Sequence, residues 1–326
     1  MIVVLGASGF VGRAFSDELR RRGHGFVPLS RQAMDYTRFD VLFDYLRKLR
    51  PEFVINAAGF TGTADEEDCE QQQQEALAAN TFLPQTIARA CLMTQTPWGH
   101  VSSGWVYAGA KVAENGRLRV QEDLESPEFR RLLADHPERV GGFTEGDEPN
   151  FSFRHAPCSF YSGTKALAEE ALEGRGRIYV WRPGLPFNES PASRNFLWRL
   201  QHERRIHDAV NSFSHAEDFV TACLDLWERK AEFGTYHVAN PGVITVRQVA
   251  DMIQRILKPN RQFEFCEQPD RPDPLQPRSR RPSCILNVGK LLNSGIKMRP
   301  VEEALEDTLQ RWKRSSKPVP APRRRW

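Results

Sequence analysis

Short apolar runs alternate with amphipathic segments along the first third of the chain. Residues 1–6 are apolar and end at a glycine, whereas residues 8–23 place apolar side chains at helical spacing. Because short buried runs joined by helices are typical of parallel sheets, this alternation predicts a parallel sheet with helices on both faces. The predicted strands are 1–6, 26–31, 52–59 and 98–104, and the predicted helices are 8–23, 38–51 and 70–93, the last kinked or divided at Pro84.

The alternation stops over a polar stretch, 110–158, and then resumes. Within this stretch the pattern predicts one short helix, near Pro127–Leu133. Long excursions of this kind are typically lids, contact surfaces or disordered segments. Farther along the chain, the predicted helices are 161–174, 214–230, 245–257 and 300–313, and the predicted strands are 177–184 and 234–240.

Charge content adds one feature, a basic segment at the end of the chain, and cysteine content bears on the cellular compartment. The 326 residues carry a net charge of +3, but residues 313–326 hold six positive charges and no negative ones. Because this segment is Pro-rich and cannot form a core, we expect a disordered tail rather than a nucleic-acid-binding face. No apolar run reaches the ~18 residues of a membrane span. The N-terminus lacks signal-peptide features, and the six cysteines show no metal-binding spacing, so a cytoplasmic protein without bound metal is expected.

Gly6, Gly9 and Gly12 are spaced three residues apart between the first predicted strand and helix. Such a loop can turn tightly, approach a pyrophosphate with its backbone and direct helix N-terminal N–H groups at it, so the spacing predicts a dinucleotide site. A plain strand-to-helix turn is the alternative. After the second strand, Ser30 and Arg31 stand where NAD sites place a carboxylate, and Arg31 can pair with the 2′-phosphate of NADP. NADPH is therefore the favoured cofactor, with NADH the alternative.

Tyr161 and Lys165 lie four residues apart on a predicted helix and so share one face. A phenol with a pKa of about 10 transfers protons poorly at neutral pH, and a neighbouring ammonium lowers that pKa by favouring the phenolate. The pair therefore predicts a proton donor and the group that tunes it. A surface salt bridge between Lys165 and Glu169 is the alternative.

Several motifs together resemble those of the extended short-chain dehydrogenase/reductases. They are GASGFVG, INAAG, VSSGWVYAG, YSGTK, WRPG and YHVANPG. Within that superfamily, residues 31–61 and 280–309 resemble dTDP-4-dehydrorhamnose reductases, and residues 150–172 and 193–200 are similar to plant nucleotide-rhamnose epimerase/reductases. The resemblance covers about residues 1–110 and 143–312, and the excursion at 111–142 is longer than the family usually shows.

The resemblance implies an α/β fold, with a Rossmann-type doubly wound parallel sheet and a smaller C-terminal substrate-binding lobe. Residues 1–184 are expected to form the dinucleotide-binding domain, to which 213–240 return. The lobe is expected mainly at 185–312, the tail at 313–326, and a surface insertion at about 111–142. The position of this insertion between Ser103 and Tyr161 predicts a lid near the substrate cleft or a subunit contact.

The resemblance also implies roles for individual residues. Ser103, Tyr161 and Lys165 match the catalytic Ser–Tyr–Lys set, with Tyr161 as the general acid, Lys165 tuning it and holding the nicotinamide ribose, and Ser103 binding the reacting oxygen. The implied cofactor-binding residues are Gly6, Ser8, Gly9, Phe10, Val11, Gly12, Ser30, Arg31, Asp35, Ala57, Ala58, Gly59, Asn80, Tyr161, Lys165, Pro183 and Leu185. The implied substrate-binding residues are Thr61, Ser103, Trp105, Asn188 and Asn195.

These features predict NADPH-dependent reduction of a nucleotide-linked 4-keto-6-deoxysugar. A nucleotide-sugar epimerase or a bifunctional epimerase/reductase is one alternative, and a non-catalytic regulatory subunit of the same fold is another. The nucleotide sugar is the expected partner, with no nucleic acid or membrane and with a possible second copy of the chain in a homodimer.

Trp105 bears on the epimerase alternative. Relatives that epimerise at C3 and C5 carry a cysteine at the position matching Trp105, paired with a His or Lys near the position of Arg199. Indole N–H only donates and guanidinium stays protonated, so neither residue can exchange protons in this way. The sequence therefore predicts reduction without epimerisation, with Trp105 packing on the sugar or the nucleotide. A core position behind the strand is the alternative for Trp105.

Overall fold

A computed structural model describes residues 1–62, 68–114, 116–192, 194–203, 205–258, 260–266 and 282–315. The strands are β1 (Ile2–Leu5), β2 (Phe26–Leu29), β3 (Phe53–Asn56), β4 (Trp98–Val101), β5 (Ala110–Glu114), β6 (Arg117–Gln121), β7 (Val140–Gly141), β8 (Ile178–Pro183), β9 (Leu185–Phe187), β10 (Arg205–His207), β11 (Val210–Asn211), β12 (Phe213–His215), β13 (Gly234–Val238), β14 (Ile244–Thr245) and β15 (Glu264–Cys266). The helices are α1 (Phe10–Arg21), α2 (Phe39–Leu49), α3 (Asp68–Gln71), α4 (Gln73–Leu77), α5 (Leu83–Thr94), α6 (Pro127–Asp135), α7 (Phe160–Leu172), α8 (Phe196–Leu200), α9 (Ala216–Glu228), α10 (Val246–Ile256), α11 (Gly289–Asn293) and α12 (Val301–Ser315).

Six strands form the central sheet in the order β2-β1-β3-β4-β8-β13, and every neighbouring pair is parallel. The order changes direction at β1, because β2 lies on one side of β1 while β3 and the later strands lie on the other. In open parallel sheets such a reversal leaves a crevice at the carboxyl ends of the strands, where ligands bind. The predicted doubly wound α/β sheet is confirmed, and the crevice falls between β1 and β3.

Helices cover both faces of this sheet because successive side chains of each strand point to opposite sides. On one face, Val4 and Ile55 belong to a core with Phe219 of α9. On the other face, Val54 belongs to a second core with Ile87 of α5. The strands are therefore apolar in almost every position, as buried parallel strands are.

A third core lies outside the central sheet and joins α10 and α12 to β9 and β12. The part of the chain around this core is called the lobe below, and its predicted bounds stay a prediction. Phe187 of β9 and Phe213 of β12 pack there with Ile253 of α10 and Leu305 of α12. The short strands of this region form two-stranded sheets, β9–β12, β11–β14 and β10–β15. The lobe is thus built from short strands and long apolar helix faces rather than from an extension of the central sheet.

The excursion after β4 is folded. Its helix is α6, which confirms the predicted short helix, but the three-stranded sheet β6-β5-β7 was not predicted. Phe129 and Val112 of the excursion share a core with Val210 of the lobe, and the Arg130 guanidinium lies 3.4 Å from the Asp208 carboxylate. The insertion is therefore docked on the lobe. Its outer strand, β6, is exposed along most of its length.

The predicted helix at 70–93 is divided into α3, α4, a π-helical turn at Ala78–Phe82 and α5. The division precedes Pro84, which lies in the first turn of α5, where its missing N–H costs no helix hydrogen bond. At the other end of the chain, α12 continues through Lys313 and Arg314, so the tail predicted at 313–326 begins too early. Residues 316–326 of that tail lie outside the described residues. Among the described helices, none is long and apolar enough to span a membrane.

Candidate active site

The loop after β1 has the shape that a pyrophosphate requires. Gly6 has a φ of +75°, and a Cβ atom added to it would lie 2.5 Å from the backbone nitrogen of Ala58. A Cβ atom at Gly12 would lie 2.1 Å from the Gly6 carbonyl oxygen. Gly9 precedes α1 with an extended backbone, and α1 begins at Phe10. Because side chains are excluded here and the first-turn N–H groups of a helix lack partners within the helix, the loop fits a dinucleotide phosphate.

The end of β2 lies beside this loop. Arg31 is exposed, and the Ser30 hydroxyl accepts a hydrogen bond from the following turn. Tyr36, which the sequence analysis did not select, is buried, and its side chain hydrogen-bonds to the Gly6 backbone. Burial raises the pKa of Tyr36, so the phenol stays neutral, and its hydrogen bond to Gly6 stabilises the phosphate loop. Asp35 is exposed and accepts a hydrogen bond from the backbone two residues on.

Two buried asparagines shape the segment after β3, which holds the predicted residues Ala57 and Ala58. The Asn56 side chain lies 3.0 Å from the Nδ1 atom of His100 and accepts a 3.1 Å hydrogen bond from the Ala58 N–H. Asn80 accepts from the Phe60 N–H and donates to the Phe60 carbonyl, both at 2.8 Å. Asn80 therefore fixes the backbone of this segment, and its predicted contact with the cofactor stays a prediction.

Ser103 and Trp105 lie at the carboxyl end of β4. Ser103 is buried, and its hydroxyl accepts a 3.1 Å hydrogen bond from the Trp105 N–H. The half-buried indole packs edge-on against the ring of Tyr161, with 6.4 Å between ring centres and an 85° angle. Between them, a Cβ atom at Gly104 would lie 2.8 Å from the Pro183 carbonyl. The tight turn thus brings the serine and the tryptophan close to Pro183. The family resemblance implies that residues 183–185 lie under the carboxamide of the nicotinamide, and they are called the nicotinamide segment below.

Tyr161 and Lys165 lie on α7, as the spacing predicts, and both are buried. The Lys165 ammonium donates to the Val101 carbonyl at 3.3 Å and lies 5.9 Å from the centre of the Tyr161 ring. A Cβ atom at Gly59 would lie 3.3 Å from the same ammonium. Burial lowers the pKa of Lys165 to about 8, while the negative charge of Glu169 opposes this shift. Lys165 therefore lies between the tyrosine and the segment after β3.

Glu169 pairs with Arg182 and not with Lys165, the partner that helical spacing offers as an alternative. Its carboxylate accepts hydrogen bonds from the Arg182 guanidinium, at 3.1 and 3.0 Å from Nε, and from the Ser102 hydroxyl. The alternative of a surface salt bridge with Lys165 is therefore wrong, because the Glu169 side chain is largely buried and pairs with Arg182.

The nicotinamide segment begins at the last residue of β8, Pro183. The Leu185 N–H donates to the Ser212 carbonyl at 2.8 Å, and the Gly184 N–H donates to the Ser214 hydroxyl at 2.9 Å. Pro183 ends β8 and Leu185 begins β9, which pairs with β12 of the lobe. The segment is therefore held at the junction between the central sheet and the lobe.

Asn188 and Asn195, both predicted to bind substrate, bind each other. Asn195 is fully buried, accepts from the N–H groups of Asn188 and Leu197, and donates to the carbonyls of Asn188 and Ser190. With its amide fully engaged, Asn195 shapes the loop that presents the half-buried Asn188. Direct contact of either residue with a substrate stays a prediction.

Arg194 joins this loop to the segment after β3. Its guanidinium donates to the carbonyl of Gly62, next to the half-buried Thr61. The structure therefore brings the predicted residue Thr61 close to the loop that carries Asn188. Arg194 was not selected from the sequence, because a single arginine in a polar loop gives no periodic or spacing signal.

Several polar residues around the site were assigned no functional role from the sequence, namely Ser102, Tyr107, Glu169, Arg182 and His237. Glu169 alone carried a signal, since it follows Lys165 by one helical turn. The others lie on strands or turns that contact one another only after the chain has folded.

The sequence model of the RmlD substrate binding domain matches residues 1–314. A trifunctional UDP-glucose 4,6-dehydratase/UDP-4-keto-6-deoxy-D-glucose 3,5-epimerase/UDP-4-keto-L-rhamnose-reductase of Arabidopsis thaliana is 26% identical over 216 residues, 66% of this chain but 28% of the relative. A bifunctional dTDP-4-dehydrorhamnose 3,5-epimerase/dTDP-4-dehydrorhamnose reductase of the same plant is 24% identical over 260 residues, 79% of this chain and 76% of the relative. The chain thus spans less than a third of the trifunctional relative.

Solved structures share the fold. The L780 UDP-rhamnose synthase of Acanthamoeba polyphaga mimivirus superposes with a TM-score of 0.77 and 20% identity, covering 95% of this chain and 98% of that one. A dTDP-4-dehydrorhamnose reductase of Bacillus anthracis in complex with NADP gives a TM-score of 0.72 and 18% identity, covering 97% and 98%. The predicted resemblance is confirmed by the family match, and these neighbours share the fold that it implies.

Proposed function

Because the chain belongs to the RmlD substrate binding domain family, we propose that it is an oxidoreductase that reduces a nucleotide-linked 4-keto-6-deoxysugar with NADPH. The observation that carries this proposal is that the Lys165 ammonium lies 5.9 Å from the centre of the Tyr161 ring, which packs against Trp105, two residues after Ser103. A regulatory subunit of the same fold would not need a buried lysine next to a buried tyrosine.

Each residue of this set has a task that its surroundings support. The reduced nicotinamide, when bound, supplies the hydride that goes to the keto carbon. Tyr161 donates its proton to the keto oxygen, and the Lys165 ammonium stabilises the phenolate that remains. Ser103 donates a hydrogen bond to the same oxygen, which places the carbonyl for attack. With a pKa of about 8, Lys165 is mostly charged at neutral pH.

Recognition of the 2′-phosphate is assigned to Arg31, and recognition of the pyrophosphate to the N-terminus of α1. Ser8, Phe10 and Val11 supply the surrounding loop and first helical turn. The lobe, with Thr61 and Asn188 at its border, binds the nucleotide sugar.

The reaction ends at reduction, without epimerisation. Trp105 is half-buried and lies edge-on against the Tyr161 ring, and it also packs against the core that includes Val106 and Phe143. On this proposal its exposed part covers the sugar ring. Neither Trp105 nor Arg199 can accept a proton from C3 or C5. The named activities of the plant relatives favour a bifunctional epimerase/reductase as the second candidate.

The proposal also includes a homodimer. Phe82 and Met93 are more than half exposed on or beside α5, and Leu167 is 37% exposed on the neighbouring helix α7. A shared interface on these two helices would bury these side chains, and sedimentation equilibrium of the full chain measures whether the dimer forms.

The activity is tested with a panel of UDP- and dTDP-linked 4-keto-6-deoxysugars, each mixed with enzyme and NADPH. We expect consumption of NADPH, followed by its absorbance, with at least one sugar and none with the parent UDP- or dTDP-glucose. The reductase proposal fails if the folded enzyme binds NADPH but oxidises it with none of the keto sugars.

A further inference from the structure

A buried ion pair lies directly behind the proposed catalytic residues. Glu169 and Arg182 have side chains that are 9% and 6% exposed. The guanidinium contacts both carboxylate oxygens, and the Ser102 hydroxyl donates to one of them. The carboxylate therefore binds two elements at once, strand β8 through Arg182 and the end of β4 through Ser102.

Ser102, Arg182 and Glu169 are each close in sequence to a residue of the proposed site. Ser102 precedes Ser103, and its N–H donates to the Trp181 carbonyl at 2.8 Å. Arg182 precedes Pro183, which begins the nicotinamide segment. On α7, Glu169 follows Lys165 by one turn and so lies on the same face. The ion pair thus touches all three chain segments that carry the chemistry.

The far side of Arg182 is held by neutral groups. Its Nη1 atom donates to the Tyr107 hydroxyl at 2.7 Å and lies 3.2 Å from Nε2 of His237. Burial lowers the pKa of His237 to about 3, so this ring is uncharged. The Tyr107 hydroxyl donates in turn to the Asp147 carbonyl at 2.7 Å. Glu169 is therefore the counter-ion that the guanidinium contacts in this buried group.

Buried ion pairs add little to stability compared with well-packed apolar side chains, because both charges lose their hydration. Their directional hydrogen bonds, in contrast, hold backbone segments in one arrangement. The position of this pair points to an orienting role.

Resting on the proposed reductase function, we propose that Glu169 is a positioning residue that fixes Ser103 against α7 through Ser102 and keeps the Lys165 ammonium charged through its own negative charge.

The charges around Lys165 support the second part. Tyr161 and Glu169 face it from α7, Cys69 from α3 and His100 from β4. Burial and the Lys165 charge lower the pKa of His100, so this ring is neutral at working pH. Burial also lowers the pKa of Lys165, and the charge of Glu169 acts against that shift. Removing this charge should therefore let the ammonium deprotonate at lower pH.

The test compares Glu169→Gln with Glu170→Gln, a matched change on the same helix. Glu170 also pairs with an arginine, Arg154, but on the surface. Ser102→Ala removes the contact to the serine segment without changing any charge, and Glu169→Asp restores the charge on a shorter side chain. For each folded variant, the pH profile of kcat, the KM of the sugar and the Kd of NADPH are measured.

We expect Glu169→Gln to lower kcat about 10- to 100-fold, with NADPH binding changed less than threefold, as for loss of a group that aligns a reacting atom. The alkaline limb of its kcat profile should move about one unit lower, and Glu169→Asp should restore part of this shift. Ser102→Ala should lower kcat without moving the limb, and Glu170→Gln should do neither. A folded Glu169→Gln enzyme with wild-type kcat and an unmoved limb overturns the proposal.

Two further readouts keep the test decisive. If Glu169→Gln does not fold, an unchanged kcat in a folded Ser102→Ala variant overturns the proposal. If no keto sugar is reduced, the proposed function has failed, and the charge of Lys165 is followed by NMR of ¹³C-labelled lysine, assigned with Lys165→Arg. A lower titration midpoint in Glu169→Gln than in the wild type supports the electrostatic part, and equal midpoints contradict it.

Discussion

The loop after β1 and the loop between β9 and α8 both contact the segment after β3, but they keep their shapes by different means. At the first loop, backbone atoms approach so closely that no side chain fits, as at Gly6 and Gly12. At the second loop, a side chain fixes the backbone, since the Asn195 amide donates to the carbonyls of Asn188 and Ser190. On the proposed function, the phosphate end of the cleft is therefore shaped by the absence of side chains, and the sugar end by hydrogen bonds between side chains and backbone.

This difference teaches where specificity can change. A backbone cradle can accept any dinucleotide phosphate, so on the proposed function the choice between NADP and NAD falls to the exposed side chains after β2, and above all to Arg31. A loop held by its own amides can instead be reshaped by one substitution. We expect cofactor-side variants to affect one ligand sharply and sugar-side variants to affect folding and substrate use together.

The largest effect is expected where the two sides meet, at Tyr161. Tyr161→Phe should fold and bind NADPH normally but lose about 10²–10⁴-fold in kcat, because no proton reaches the keto oxygen. Tyr179→Phe is the control, since Tyr179 is also buried and donates its hydroxyl to the Ala231 carbonyl at 2.7 Å, far from the site. Near-normal turnover of Tyr161→Phe would show that another group delivers the proton.

Arg31→Asp tests whether one side chain decides cofactor choice. Losing a charge-assisted pair costs about 1.5–3 kcal/mol, so the Kd of NADPH should rise tenfold to over a hundredfold while that of NADH changes little. Titration of protein fluorescence with each cofactor gives both constants. Arg47→Asp carries the same charge change on exposed α2 and should leave both constants alone. Equal wild-type affinities for NADPH and NADH contradict the assignment.

Asn195→Ala tests the sugar side. Removing the buried amide leaves several backbone groups unpaired and should cost about 1–3 kcal/mol of unfolding free energy, measured with urea. The KM of the sugar should rise while the Kd of NADPH stays the same. Asn240→Ala removes another buried asparagine, which binds Asp218, and should lower stability without raising the KM. If both variants change the KM equally, the loop has no special role.

The same difference explains what could be predicted from the sequence. Apolar runs, glycine spacing and the Tyr161–Lys165 interval are local patterns, so the sheet, the phosphate loop and the catalytic helix were predictable. The partner of Glu169 was not, because Arg182 reaches it from a separate strand. The strands of the insertion were missed for another reason. In β6, arginines alternate with Leu118 and Val120, which is a strand pattern, but the run has only five residues within a polar stretch and both apolar side chains are exposed.

The central claim is that the site reduces a 4-keto sugar without exchanging protons at C3 and C5. The most direct measurement is to run the reaction in D₂O with NADPH and to locate deuterium in the sugar by NMR. We predict a hydrogen from the cofactor at C4 and no deuterium at C3 or C5 above the spontaneous rate, since Trp105 and Arg199 cannot accept a proton. Rapid, enzyme-dependent deuterium incorporation at C3 or C5 would contradict this account and would indicate a base in the cleft.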